Sequence, residues 1–181
     1  MKKLLATMAT AAILTVSAGT VSAASFNDVP PGHWATAQVN FVADEGILVG
    51  YGDDSFRGDN EISRGELMGA ADALSKKFAP ESNVGNEFMQ KWVFSGQDGK
   101  ATRYDVAEIL AAVYREVYDI NDADITESAN DVDSEHKADV DLVLSMGIME
   151  SYGDGSFRGD KTMTRYEAAI ILSKFYNKLA D

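Results

Sequence analysis

The stretch Gly50-Tyr51-Gly52-Asp53-Asp54-Ser55-Phe56-Arg57-Gly58-Asp59 returns as Ser151-Tyr152-Gly153-Asp154-Gly155-Ser156-Phe157-Arg158-Gly159-Asp160, and this recurrence decides how the chain is read. Two of the ten aligned positions differ, at an offset of 101 residues. Upstream, Asn27-Asp28-Val29 with His33 matches Asn130-Asp131-Val132 with His136 at an offset of 103, so the later copy is two residues shorter inside its first helix. Downstream, Ile62-Ser63-Arg64-Gly65-Glu66 matches Met163-Thr164-Arg165-Tyr166-Glu167. The same short motif stands between them as Ala101-Thr102-Arg103-Tyr104-Asp105, which makes the chain a three-repeat protein.

Each short motif opens an amphipathic helix whose apolar positions fall at +3, +7, +10 and +14 from the Arg. They are Leu67, Ala71, Leu74 and Phe78, then Val106, Leu110, Val113 and Val117, then Ala168, Leu172, Phe175 and Leu179. The 4-3-4 spacing is a heptad-like seam. Three such stripes bury one another best in a central three-helix bundle with approximate threefold symmetry. A further helix is predicted before each core helix, marked by Trp34, Ala37, Phe41 and Val42, by Val84, Phe88, Trp92 and Val93, and by Ala138, Leu142 and Val143. Gly46, Gly96 and Gly147 read as their left-handed C-caps. Eighteen residues separate Gly46 from Arg64 and Gly147 from Arg165, but seven separate Gly96 from Arg103, so the middle repeat has lost the long loop. Asp119 to Ala129 reads as an acidic linker.

Composition fixes what surrounds this core. The 181 residues are 45% apolar and 25% charged, enough for an ordinary domain with a real core. Sixteen basic residues against 29 acidic ones give a net charge of −13, which opposes nucleic-acid or anionic-lipid binding. The absence of Cys excludes disulfides, thiolate metal sites and a catalytic thiol, and two His make a His-based zinc site a poor expectation. Lys2 and Lys3 precede an apolar run from Leu4 to about Val16, with small residues following. Residues 1–24 are therefore predicted to be a secretory signal cleaved after Ala23 or Ala24. Its removal leaves 14 basic against 29 acidic residues, a charge of −15, and no transmembrane span. The repeats are then 25–80, 81–120 and 121–181.

The combination Phe26-Asn27-Asp28-Val29, His33-Trp34, Gly46-Ile47, Tyr51 to Arg57 and Ser63-Arg64-Gly65-Glu66 resembles the S-layer homology (SLH) domain family across nearly all of the mature chain. The resemblance implies an all-α fold of three helix-loop-helix SLH repeats packed as a pseudo-threefold spindle. It also implies an exported protein of the periplasm, cell envelope or cell surface whose grooves bind a cell-wall glycan or peptidoglycan without catalysis or cofactor. Phe-Arg-Gly-Asp followed by Thr-Arg-Tyr-Glu is similar to the form found in diderm Firmicutes, where such modules grip polyamine-bearing peptidoglycan. In Gram-positive relatives the ligand is a pyruvylated secondary polysaccharide, which stands as the alternative, beside a structural role in the envelope through a protein partner or self-association. Many relatives attach a further domain to such a module; here the chain given ends with the third repeat, so what it tethers is left open.

The candidate ligand-binding residues are Arg64, Glu66, Arg103, Arg165, Glu167, Arg57, Arg158, Asp53, Asp154, Tyr51 and Tyr152. Ser63 with Glu66, Thr102 with Asp105 and Thr164 with Glu167 read first as capping boxes. The Arg between them opposes the helix dipole, at about 0.3–1 kcal/mol. Arg64, Arg103 and Arg165 therefore either pair with a neighbouring carboxylate or form an anion site with the helix N-terminus, suited to a ketal pyruvate or a peptide-stem acid. Arg57 and Arg158 line the same groove. Asp53 and Asp154 either accept hydrogen bonds or contact an amine there, or cap turns. Tyr51 and Tyr152 offer platforms for sugar rings, whereas Phe56 and Phe157 anchor the loops. Trp34 reads as a helix-packing residue, although its counterpart is Lys137, and His33 and His136 as helix-start residues. Fewer than three working sites are expected, since the middle groove has Arg103 but no Phe-Arg partner. A hydrolase lacks an isolated pair of poised carboxylates. A calcium loop is prompted by Asp119, Asn121, Asp122, Asp124, Asp131 and Asp133, but its Gly and Glu fall out of register.

Overall fold

The computed structural model describes residues 25–93, 99–118, 120 and 125–181. The predicted signal at 1–24, the C-cap at Gly96 and the linker residues Asp119, Asn121, Asp122 and Asp124 lie outside the described residues. Among those described, the chain forms six α-helices and no named strand. They are α1 (Thr36–Asp44), α2 (Arg64–Phe78), α3 (Val84–Val93), α4 (Arg103–Val117), α5 (Lys137–Ser145) and α6 (Arg165–Ala180).

The helices α2, α4 and α6 start where the repeated motif places them, because all three capping boxes form. Ser63, Thr102 and Thr164 each accept a hydrogen bond from the backbone amide three residues on. Glu66, Asp105 and Glu167 return a carboxylate to the cap's own amide at 2.9, 2.8 and 2.8 Å. These starts are also tied to one another. Ile62 N–H donates to the Met163 carbonyl, Met163 N–H to Ala101, and Ala101 N–H back to Ile62, closing a ring of three backbone bonds at 2.9, 3.2 and 2.8 Å. A second ring runs one residue pair further out, from Arg64 to Gly99, from Arg103 to Lys161 and from Arg165 to Asn60. Ile62, Ala101 and Met163 are buried at the centre.

Below this ring the seams bury as their spacing predicts. Leu67, Ala71 and Leu74, then Val106, Leu110 and Val113, then Ala168, Leu172, Phe175 and Leu179 are all in the core, while Phe78 and Val117 are partly buried at its edge. The three core helices touch one another, and α3 also touches both α2 and α4. Each outer helix packs on the core helix of the preceding repeat: α3 on α2, α5 on α4, and α1 on the last helix, α6. Gly46 and Gly147, both at φ +68°, end α1 and α5 in the left-handed conformation that glycine adopts without penalty.

The apolar faces of α1 and α5 differ from expectation. Trp34 and Ala37 are exposed, Trp34 at 63%, while α1 buries Val42 as expected and Val39 besides, with Ala35 buried just before it. The reason is the turn from Pro30 to Ala35, which delays the helix to Thr36, so Trp34 lies off its periodic face. Its ring rests beside His33 and Tyr166, at centroid distances of 5.3 and 5.5 Å. In α5, Ala138 is exposed and the core takes Val140, Leu142, Val143 and Leu144.

Candidate functional site

The two long loops are built alike, and an aspartate outside each of them does the building. Asp28 accepts from the amides of Phe56 and Arg57 at 2.7 and 2.6 Å, and Asp131 from those of Phe157 and Arg158 at 2.5 and 2.9 Å. Asp131, a calcium candidate in the sequence, is therefore committed to two backbone donors. The aromatic side chains of Phe56 and Phe157 are fully buried as loop anchors. Arg57 and Arg158 sit at φ +56° and +54°, an uncommon conformation for a non-glycine residue that the Asp clamps hold in place.

On the outside of each loop the polar residues satisfy one another. Arg57 donates to Asp53 at 2.8 Å and to Ser55 at 3.1 Å, and its guanidinium lies 4.1 Å from the centroid of the Tyr51 ring. Arg158, Asp154, Ser156 and Tyr152 repeat the arrangement, with the cation 4.0 Å from the ring centroid. Asp53 and Asp154 also accept from the amide two residues on, so both serve as turn caps. Bonds from Ser55 and then Arg57 hold the Asp53 carboxyl at about 2, well below its usual value. Arg57 and Arg158 cover one face of Tyr51 and Tyr152, so any sugar ring would have to use the other face.

The motif arginines point inward, each reaching the neighbouring repeat around the ring. Arg165 is 1% exposed and spends its guanidinium on the Val49 and Phe56 carbonyls at 2.7 and 2.8 Å and on Glu66 Oε1 at 2.6 Å. Arg103 donates to the Phe157 and Glu150 carbonyls at 2.7 and 2.8 Å. Arg64 donates to Asp105 at 3.1 Å and lies 5.8 Å from the Trp92 ring centroid. Of the two sequence readings, pairing with a neighbouring carboxylate describes Arg64 and Arg165.

Two residues given no role in the sequence reading, Tyr104 and Tyr166, complete the loop support. Tyr166 and Tyr104 follow these arginines and pack over Gly58 and Gly159, where a Cβ would come within 2.1 and 2.0 Å of a ring carbon. His33 and His136 cover the same rings at 4.5 and 3.9 Å between centroids. The signal was in the sequence: Arg165-Tyr166 serves the first loop and Arg103-Tyr104 the last, while Arg64 faces the repeat with no long loop and is followed by Gly65.

Tyr51, Glu66 and Arg165 meet at a cleft of about 320 Å³, lined also by residues 46–50, Gly69 and Ala70. Glu66 is its hub. Oε1 accepts from the Tyr51 hydroxyl at 2.7 Å and from Arg165, while Oε2 holds the cap of α2. Burial pushes the Glu66 carboxyl up, but the bonds from the Ser63 amide and Tyr51 and the charge of Arg165 outweigh it and leave it below its ordinary 4.5. A lowered folded value stabilises above the unfolded one and ceases to do so as pH falls. The thermal midpoint is thus expected to drop as pH falls below 4.5, and Glu66→Gln should flatten part of that slope relative to wild type in a pH series of melts.

The last repeat arranges the corresponding residues differently. Ile170 replaces Gly69, Glu150 replaces Val49 and Lys161 replaces Asn60. The Lys161 ammonium donates to the Tyr152 hydroxyl at 3.1 Å and lies 3.8 Å from Glu167 Oε1. A cation from the chain itself therefore stands between the tyrosine and the glutamate of that repeat.

The model of the S-layer homology domain matches residues 25–68 and 130–169, the two segments that carry the long loops and their motif helices. These segments are S-layer homology domains. The SLH match leaves out the middle segment, whose loop is short. Over 64 residues, 35% of this chain, it is 44% identical to the outer membrane protein SlpA of Thermus thermophilus. Over 95% of its length it is 25% identical to the S-layer protein EA1 of Bacillus anthracis, and over 87% it is 21% identical to a cellulosome-anchoring protein of Acetivibrio thermocellus. The chain spans 7%, 22% and 27% of the length of these three relatives. No helix among the described residues is long and apolar enough to cross a membrane.

Proposed function

We propose that this protein is a non-catalytic anchoring module of the cell envelope, in which segments 25–80, 81–120 and 121–181 act as SLH repeats. It holds peptidoglycan, or a polymer linked to it, through the cleft beside Tyr51 and Glu66. The observation that carries this reading is the contrast between the two SLH segments. In the last, the chain's own Lys161 lies between Tyr152 and Glu167; in the first, Asn60 replaces the lysine and a cleft stands beside the equivalent pair. An amino group of the wall polymer is drawn to this cleft by charge, since the chain carries 29 acidic against 16 basic residues. A pyruvylated polysaccharide is less well served, because Arg165 is buried and engaged by two carbonyls and a carboxylate. The relatives' names, of S-layer, outer-membrane and anchoring proteins, support the envelope setting.

Val49 is the residue on which to test it, being 61% exposed at the rim of the cleft with only its carbonyl bonded to Arg165. The mature protein is expected to co-sediment with sacculi from its own organism, whether native or stripped with hydrofluoric acid. Val49→Trp should reduce that binding by about tenfold or more, the equivalent of about 1.4 kcal/mol, with an unchanged thermal midpoint. Acetylating the amines of the sacculi should weaken it as well. Binding lost on stripping would transfer the ligand to a secondary polymer, and no sedimentation with either preparation would overturn wall binding.

A further inference from the structure

The cleft beside Tyr51 does not end at α2. Gly69, which lines it, also lines a second cleft of about 280 Å³ on the other side of the helix, between α2 and α3, walled by Met68, Asp72, Asn86 and Met89. The positions equivalent to Gly69 carry the larger side chains Glu108 in α4 and Ile170 in α6. Packing does not demand a glycine there, because a Cβ at Gly69 would meet nothing within 4 Å. Glycine inside a helix costs about 1 kcal/mol relative to alanine. The sequence thus keeps an unfavourable residue where these two clefts meet, and its effect is to leave the surface of α2 between them without a side chain.

We propose that the two clefts form one continuous track for a glycan strand, which crosses α2 over Gly69 and is held by at least two successive units. This rests on the reading of the first cleft as the wall-polymer site and names the part of the polymer recognised. The second cleft suits a sugar chain in its mixed lining. Met68 and the 44% exposed Met89 offer adaptable apolar surface to ring faces and methyl groups, while the Asn86 amide and the Asp72 carboxylate offer partners to hydroxyl and acetamido groups. Asp72 already holds Lys76 at 2.6 Å, so the acid is balanced and the cleft favours a neutral ligand portion.

The test uses muramidase-released peptidoglycan fragments of one to four disaccharide units with stem peptides intact, titrated against the mature protein. Affinity is expected to rise on the order of tenfold from one unit to the longer fragments, as a second subsite is engaged. Met89→Asp, which changes the second cleft alone, should keep single-unit binding and abolish the rise. Gly69→Ile, which copies the last repeat, should also abolish it while the protein remains folded. Dimers joined through glycan should bind more tightly than dimers joined through peptide cross-links. A rise that survives both substitutions, a preference for peptide-joined dimers, or equal affinity at all lengths would overturn the track while leaving wall binding intact. Failure of every fragment and of intact sacculi would overturn the underlying reading instead.

Discussion

Arg165→Ala should destabilise the protein by about 3–5 kcal/mol, the range seen when one partner of a buried ion pair is removed. The truncation strands the Val49 and Phe56 carbonyls and leaves Glu66 with a partly buried charge from which the cation has gone. Arg165→Lys should recover little, because an ammonium cannot reproduce the fork that bonds three separated acceptors. Arg64→Ala should cost much less, since that side chain is less buried and its bond to Asp105 is longer, at 3.1 Å. Urea denaturation of the three variants checks the order, and an Arg165→Ala protein as stable as Arg64→Ala would overturn it. The comparison also determines how binding data are read. Lost wall binding in Arg165→Ala reports a collapsed cleft as readily as a lost ligand contact, whereas Val49→Trp leaves the scaffold bonds in place.

Gly159→Ala and Gly58→Ala are expected to cost at least the upper part of the about 1–3 kcal/mol usual for overpacking. At Gly159 the new methyl would lie 2.0–2.2 Å from three Tyr104 ring carbons, and at Gly58 2.1–2.3 Å from those of Tyr166. Neither ring can retreat easily. Tyr104 is stacked on His136 at 3.9 Å, and Tyr166 is enclosed by His33, Trp34 and Phe56. Gly52→Ala and Gly153→Ala are the controls, since a Cβ there meets nothing within 4 Å, and both should stay within about 0.5 kcal/mol of wild type. Equal stability of the two sets of variants in thermal melts would refute the account of why Phe-Arg is followed by Gly in both loops.

What could be read from the residues was what local rules control. The capping boxes are four-residue devices, the seams are a matter of helical period, and Phe56 and Phe157 are each a large aromatic residue set among polar and glycine residues. The destination of each Arg depends instead on contacts far along the chain, with Arg165 meeting residues 99 to 116 positions away. Trp34 was misplaced for a smaller reason, a turn that shifts the start of α1. Asp28 was visible as a repeated residue, yet its task, holding two amides of a loop 28 and 29 residues later, is set by tertiary structure. In the candidate site, the contrast between Gly69 and Ile170 was present in the aligned repeats. That Gly69 lies between two clefts needed the packing of α2 against its neighbours.

The pairing of α1 with α6 bears on when the protein can finish folding. Its first helix packs chiefly on its last, and the first loop receives Arg165 and Tyr166 from that same late segment. Contacts of such long sequence separation slow folding, because the chain must be closed before they repay its ordering. During synthesis from the N-terminus the early segments therefore remain incomplete and pliable, and the closing step comes with the final helix.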